Sequence, residues 1–112
     1  MRKLEERIGR YLTKTSISKN GVTIRLPEER WQHITQRHQN LTNQQEVVLN
    51  TIANPERIVC GNEDSLMAVR TWIEDKFIVV VYKEIDNRDG FVITAFPTRR
   101  LNSINKRRQV WP

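Results

Sequence analysis

The sequence predicts an α+β fold: two N-terminal helices packed on a four-stranded antiparallel sheet, with a basic arm at either end. Three observations carry that expectation. Pro27 opens one amphipathic helical run and a capping pattern at Thr42 opens another. From Arg57 onward the apolar pattern changes to short strand-like runs separated by turn residues. Helices therefore precede strands instead of alternating with them. A parallel α/β sheet would need a helix between successive strands.

Leu4, Ile8, Tyr11 and Leu12 keep helical spacing, so the basic N-terminal arm, residues 1–19, is expected to carry a short helix. Asn20-Gly21 is a turn signal, and Val22, Ile24 and Leu26 then alternate with Thr23 and Arg25 as a half-buried strand does. Pro27 suits a first helical turn because its missing N–H would have no intrahelical partner there, and Glu28 and Glu29 complement the positive end of the helix dipole. This helix is expected to fade near Gln39-Asn40. Thr42 as N-cap, with Gln45 three residues on, predicts a second helix burying Val47, Val48, Leu49 and Ile52. Asn54-Pro55 ends it, since the residue before proline is pushed out of helical geometry.

Strands are expected at Arg57 to Cys60, Leu66 to Ile73, Phe77 to Ile85 and Phe91 to Phe96. Turn chemistry separates them at Gly61 to Asp64, Glu74 to Lys76 and Asp86 to Gly90. The single domain is thus expected over residues 20–100, followed by a basic tail at 101–112.

A chain of 112 residues, 38% hydrophobic and 29% charged, fits one globular domain and excludes wholesale disorder. Its single cysteine, Cys60, forms no internal disulfide and makes a reducing, cytoplasmic setting the expectation. The first residues lack the apolar run of a signal peptide, and no stretch is long enough for a membrane span. The net charge of +6 is unevenly spread: residues 1–19 carry +4 and residues 99–112 carry +5, leaving −3 between them. Basic arms of this kind draw a chain toward polyanions, or else serve only as solvated tails.

A tight turn at Asp75-Lys76 and a four-residue loop at Asp86 to Asp89 would set Trp72 beside Val79, Arg70 beside Val81, and Val81 beside Thr94. One face would then carry Met67, Val69, Ile73, Ile78, Val80, Tyr82, Phe91, Ile93 and Ala95, and the helices should pack there. The other would mix Trp72, Phe77, Val79, Val81, Val92 and Phe96 with Arg70, Lys83 and Thr94. Unpaired cations rarely sit on a buried face, so this one is expected to form a shallow open cleft. Rim ion pairs of Arg70 and Lys83 with Glu74, Glu84 or Asp86 are the alternative.

Both histidines of the chain, His33 and His38, fall within the run from Arg30 to His38. Imidazole suits proton transfer near neutral pH, and neighbouring guanidinium groups suit phosphate esters. At ~100° per residue, Trp31, Ile34, Thr35 and His38 share one side of the helix, with Arg30, His33 and Arg37 on a neighbouring flank. Cleaving RNA without a metal requires deprotonating a 2'-hydroxyl, neutralising charge at phosphorus and protonating the departing 5'-oxygen. His38 is the candidate proton carrier, with Arg70, Lys83 and Arg99 as candidate phosphate holders. Thr94 or Thr98 would orient an oxygen, and Trp72 or Phe96 would stack an unpaired base. A helix-capping His38 and a solvated His33 are the structural alternatives. One thiol and two closely spaced histidines assemble no metal site, and no P-loop, dinucleotide fingerprint or nucleophilic-serine elbow is present, so no cofactor is expected.

The run from Leu26 to Ile34 with Arg37-His38, then Thr51-Ile52-Ala53-Asn54-Pro55, and finally Gly90 to Arg99, resembles a small phage- and bacteria-associated family within the Barnase-EndoU-colicin-RelE-like nuclease group. The resemblance spans roughly residues 22–100. It implies a metal-independent ribonuclease whose active site lies on the sheet, using Arg37 and His38, Lys83 from the third strand, and Thr94, Thr98 and Arg99 from the last. His33 matches as a motif residue. The leading expectation is therefore an endoribonuclease, of the toxin kind, acting on tRNA or mRNA and leaving a 2',3'-cyclic phosphate. The alternatives are a noncatalytic nucleic-acid-binding module, or a toxin–antitoxin or immunity-type protein with an acidic partner. Oligomeric state stays open.

Overall fold

The computed structural model describes residues 13–112, so the helix expected from Leu4, Ile8, Tyr11 and Leu12 lies outside the described residues. Gly21, at φ 79°, turns the chain between β1 (Lys14–Ile17) and β2 (Thr23–Leu26), as Asn20-Gly21 predicts. Pro27 then caps α1 (Glu28–Arg37), which buries Trp31 and Ile34. Each of those side chains contributes ~1.5–3 kcal/mol by leaving water. A short 3₁₀ turn, Gln39–Leu41, leads to α2 (Gln45–Ala53). This second helix starts two residues later than Thr42 as N-cap predicts and carries no side-chain cap, because Thr42 ends the 3₁₀ turn instead.

Strands follow as β3 (Arg57–Cys60), β4 (Leu66–Thr71), β5 (Phe77–Glu84) and β6 (Asp89–Thr98). The chain then makes a one-turn helix, α3 (Asn102–Asn105), and a last strand, β7 (Gln109–Trp111). The α+β class holds, but the sheet formed by the described residues has seven strands and is mixed, in the order β1-β2-β6-β5-β4-β3-β7. Among the described residues only β2 and β6 run parallel; their pairing joins Thr23 to Asp89 and Arg25 to Phe91. The four central strands match the sequence reading, whereas β1 and β7 come from segments expected as arms. Both are short, and neither shows the apolar alternation that marks a strand in sequence.

The sheet buries both faces. Ile78, Val80 and Tyr82 of β5, with Ala68, Ala95, Val92 and Ile24, pack against Trp31 and Ile34 of α1 and Val48, Leu49 and Ile52 of α2. On the other side Val59, Met67, Val69 and Val79 form a second cluster covered by Leu101 and Ile104 of the C-terminal segment, with Phe77, Val81 and Phe96 at its border. The basic tail expected at 101–112 is thus part of the fold. Its guanidinium groups are used there: Arg107 donates to the Cys60 carbonyl at 3.2 Å and to Asn62 Oδ1 at 2.9 Å.

This arrangement corrects the expected faces. The β4–β5 connection places Glu74 and Asp75 in the left-handed region and pairs Thr71 with Phe77, so Val69 lies opposite Val79 and Arg70 opposite Ile78. Relative to the expected two-residue turn the register moves by an odd number, which exchanges the faces of β4. In β6 the pairing of Val81 with Thr94 is as expected, but a bulge beside it sets Tyr82 opposite Val92 and Lys83 opposite Phe91. The extra residue, Ile93, reverses the facing of everything before it. Phe91 therefore lies on the side away from the helices.

Candidate functional site

Strand β2 stops pairing with β6 at Phe91, where Pro27 turns the chain into α1. The helix then follows β6 along its vacated flank, and the ring of its C-cap residue, His38, lies 6.3 Å between centroids from the ring of Phe96. Where strand and helix part, Arg25, Glu29, Arg30 and His33 surround a cleft of about 500 Å³ whose lining is completed by Pro27, Phe91 and Val92. Spacing explains the convergence. Glu29 and His33 lie one turn apart on α1 and Arg30 precedes His33 by three, so all three share one flank.

The cleft is built on a tight junction. Gly90 is buried between β2 and β5, where a Cβ would meet the Lys83 carbonyl and lie 2.7 Å from Ile24 Cδ1. Arg25 extends from β2 and forks onto Asp89, its Nε donating to Oδ1 at 2.8 Å and Nη2 to Oδ2 at 3.1 Å. That fork raises the Arg25 pKa and lowers the Asp89 carboxyl pKa, the paired hydrogen bonding being the largest cause for each. Glu84 anchors the hairpin in front, accepting from the Ser18 hydroxyl at 2.5 Å and the Asn20 amide at 2.8 Å. Across the sheet the register sets Arg25, Phe91 and Lys83 side by side on β2, β6 and β5. Two cations thus flank an aromatic ring, with cross-strand neighbours spaced by about 5 Å.

The sequence-derived site residues do not form one group. Lys83 pairs with Phe91 while Thr98 pairs with Phe77, six residues apart along β5, or roughly 20 Å. One phosphate cannot touch both. Thr94 stands opposite Val81 and lines a separate recess with Ser65, Met67, Ile93 and Arg107. The Thr98 hydroxyl is engaged locally, donating to the Arg100 carbonyl at 3.0 Å and accepting from the Arg100 N–H at 3.1 Å. Arg99 is exposed and shares a shallow basic recess with Asn40, Lys76, Pro97, Thr98 and Arg100. His38 is half-buried at the C-cap of α1, and Arg37 beside it is exposed.

Arg70 and Trp72 belong to the helix side instead of an open face. The Arg70 guanidinium donates to the carbonyl of Asn54, satisfying a carbonyl at the end of α2. Trp72 packs against the core beneath the helices. The expected open cleft over the second face is covered in its middle by Leu101 and Ile104, with accessible recesses left at the β2–β6 border and beside Thr94. Of the expected residues, His33 is the one in the cleft itself, with Lys83 one strand away across Phe91.

Sequence reasoning missed Glu29, Arg25 and Phe91. The spacing Glu29–His33 was legible as two proton-transfer groups on one helix flank. Arg25 was masked by its place in a strand, and Phe91 by the bulge, which no local pattern announces. Among the described residues, no three His, Cys, Asp or Glu side chains stand close enough together to hold a metal ion. No helix among them is long and apolar enough to cross a membrane. Comparison with models of protein families, with curated proteins and with solved structures found no match to this chain.

Proposed function

We propose that the protein is an endoribonuclease that cleaves at the α1–β6 cleft without a metal ion. The observation that carries this reading is the shared lining of one cleft by a carboxylate, an imidazole, two guanidinium groups and an aromatic ring: Glu29, His33, Arg25, Arg30 and Phe91. RNA carries its own nucleophile, so the protein has only to move two protons and hold a charge. Glu29 takes the proton of the 2'-hydroxyl as that oxygen bonds to phosphorus. Arg25 and Arg30 receive the charge that builds on the nonbridging oxygens, by hydrogen bonds that a planar guanidinium gives in pairs. The bond from phosphorus to the 5'-oxygen breaks, and His33 supplies the leaving oxygen with its proton. A 2',3'-cyclic phosphate and a 5'-hydroxyl end result. Phe91 offers a face for an unpaired base, and Lys83 beside it offers a second phosphate contact.

The resemblance to the Barnase-EndoU-colicin-RelE-like group supports the same chemistry, with the proton carrier moved from His38 to His33. The test is incubation of purified protein with RNA in the presence of chelator, followed by mapping of the ends. Cyclic phosphate and 5'-hydroxyl ends are expected, with cleavage lost in His33→Ala and largely retained in His38→Ala. A His33→Ala variant that cuts as fast as the parent, or a parent that leaves RNA intact, overturns the reading.

A further inference from the structure

We infer that the nucleic acid held at this cleft is a single strand that continues along α1 and β6 to the basic recess at Lys76, Arg99 and Arg100; this rests on the ribonuclease reading for the identity of the ligand.

Between Val92 and Thr98, strand β6 has no strand on its outer flank among the described residues. Pro97 sits in this stretch, as proline does where one side of a strand is open. The cleft with His33 lies at one end of the stretch and the basic recess, about 520 Å³, at the other. From Phe91 to Thr98 the strand rises by roughly 23 Å, which accommodates several nucleotides, at the short end of the ~4–16 that single-strand grooves hold.

The intervening surface suits a phosphate backbone with unpaired bases. Arg30, His33 and Arg37 follow one another at helical spacing on exposed positions of α1, leading from the cleft toward the recess. Close to the recess, the half-buried rings of His38 and Phe96 offer a second stacking surface beyond Phe91. Stacking on either aromatic requires an unpaired base, which selects a single strand over a duplex. At the far end Arg99 and Arg100 are exposed, and Lys76 lies 3.7 Å from Glu74. Three cations against one carboxylate leave that recess net positive. Its charge, its distance from the cleft and its place on the same strand together define a path rather than two isolated patches.

The test uses fluorescence anisotropy with 2'-deoxy oligonucleotides, which lack the nucleophile and cannot be cut. A single strand of about eight residues, its duplex and a dinucleotide serve as probes. The expected order is single strand tightest, with the duplex and the dinucleotide each weaker. In Arg99→Ala/Arg100→Ala the slope of log K against log salt for the longer strand should shrink by about 1.4, two lost contacts at ~0.7 each. Equal binding of strand and duplex, or an unchanged slope in the double variant, overturns the path. Intact length-dependent binding with no cleavage of RNA by the parent instead defeats the ribonuclease reading and leaves the path standing.

Discussion

Arg25 and Asp89 are joined by a two-point fork that clamps β2 to β6 at the mouth of the cleft. The pair is the joint between the parallel strands β2 and β6, and both side chains are near 40% exposed, at 42% and 43%. Because the fork holds the Asp89 carboxyl below its ordinary value of about 3.9, the folded chain binds that proton less tightly than the unfolded one. The stabilisation is therefore present above about pH 4 and is lost as pH falls through the depressed folded value. Melting temperatures across acid pH should show parent and Asp89→Asn converging at the lowest pH and separating, with the parent higher, above it. Parallel curves throughout would disconnect Asp89 from acid stability.

The proposed proton-transfer roles of Glu29 and His33 make a definite claim on turnover. Glu29→Gln should lower kcat/KM by ~10²–10⁴. His33→Ala should bring a loss of similar size. Measuring kcat/KM on a single RNA substrate, beside the melting temperature of each variant, tests both. Parental rates in the folded variants would remove these residues from the chemistry.

Tyr82 is buried under the helices with a hydroxyl that finds no hydrogen-bond partner among the described residues. Burial first, and the nearby charge of Glu84 second, push its pKa well above the ordinary tyrosine value. A raised folded pKa means the folded state holds the proton more tightly. Its contribution is complete below about pH 10 and declines as pH rises toward the folded value. Tyr82→Phe should abolish this alkaline decline and raise stability near neutrality by about 1 kcal/mol, since no buried hydroxyl is left unsatisfied. Urea denaturation at neutral and alkaline pH measures both.

Ile104, 3% exposed, seals the second cluster from the C-terminal segment. Ile104→Ala should cost about 2–5 kcal/mol, as a buried isoleucine truncation does. Chemical denaturation checks the cost, and catalysis at low temperature should stay near the parental level because the cleft lies over β2 and β6. A negligible loss of stability would mean that the C-terminal segment only rests on the sheet.

Much of this architecture could be read from residues. Pro27, Asn54-Pro55 and Asn20-Gly21 each mark a boundary by local chemistry, and the structure ends or turns its elements there. The central strands announce themselves by β-branched and aromatic runs. What stayed hidden is non-local. Whether Glu74 and Asp75 adopt left-handed backbone, and whether Ile93 bulges, decides on which face every residue of β4 and early β6 lies, yet neither residue type dictates it. For that reason Arg70 and Trp72 moved to the helix side and Phe91 moved away from it. The site was half legible for the same reason. Histidine and arginine on one helix flank follow from spacing alone, whereas their partners Arg25 and Phe91 are recruited by sheet register.

The parallel pairing of β2 with β6 also governs when the molecule becomes competent. Thr23 meets Asp89 only after the intervening helices and strands have been threaded, a contact of long sequence separation that pays its loop-closure entropy late. During synthesis on the ribosome, Arg25 and α1 emerge well before the ring they are to face. A nascent chain that has not yet delivered Phe91 has the histidine but lacks the strand beside it, so the proposed cleavage by the 2'-hydroxyl waits until β6 has emerged.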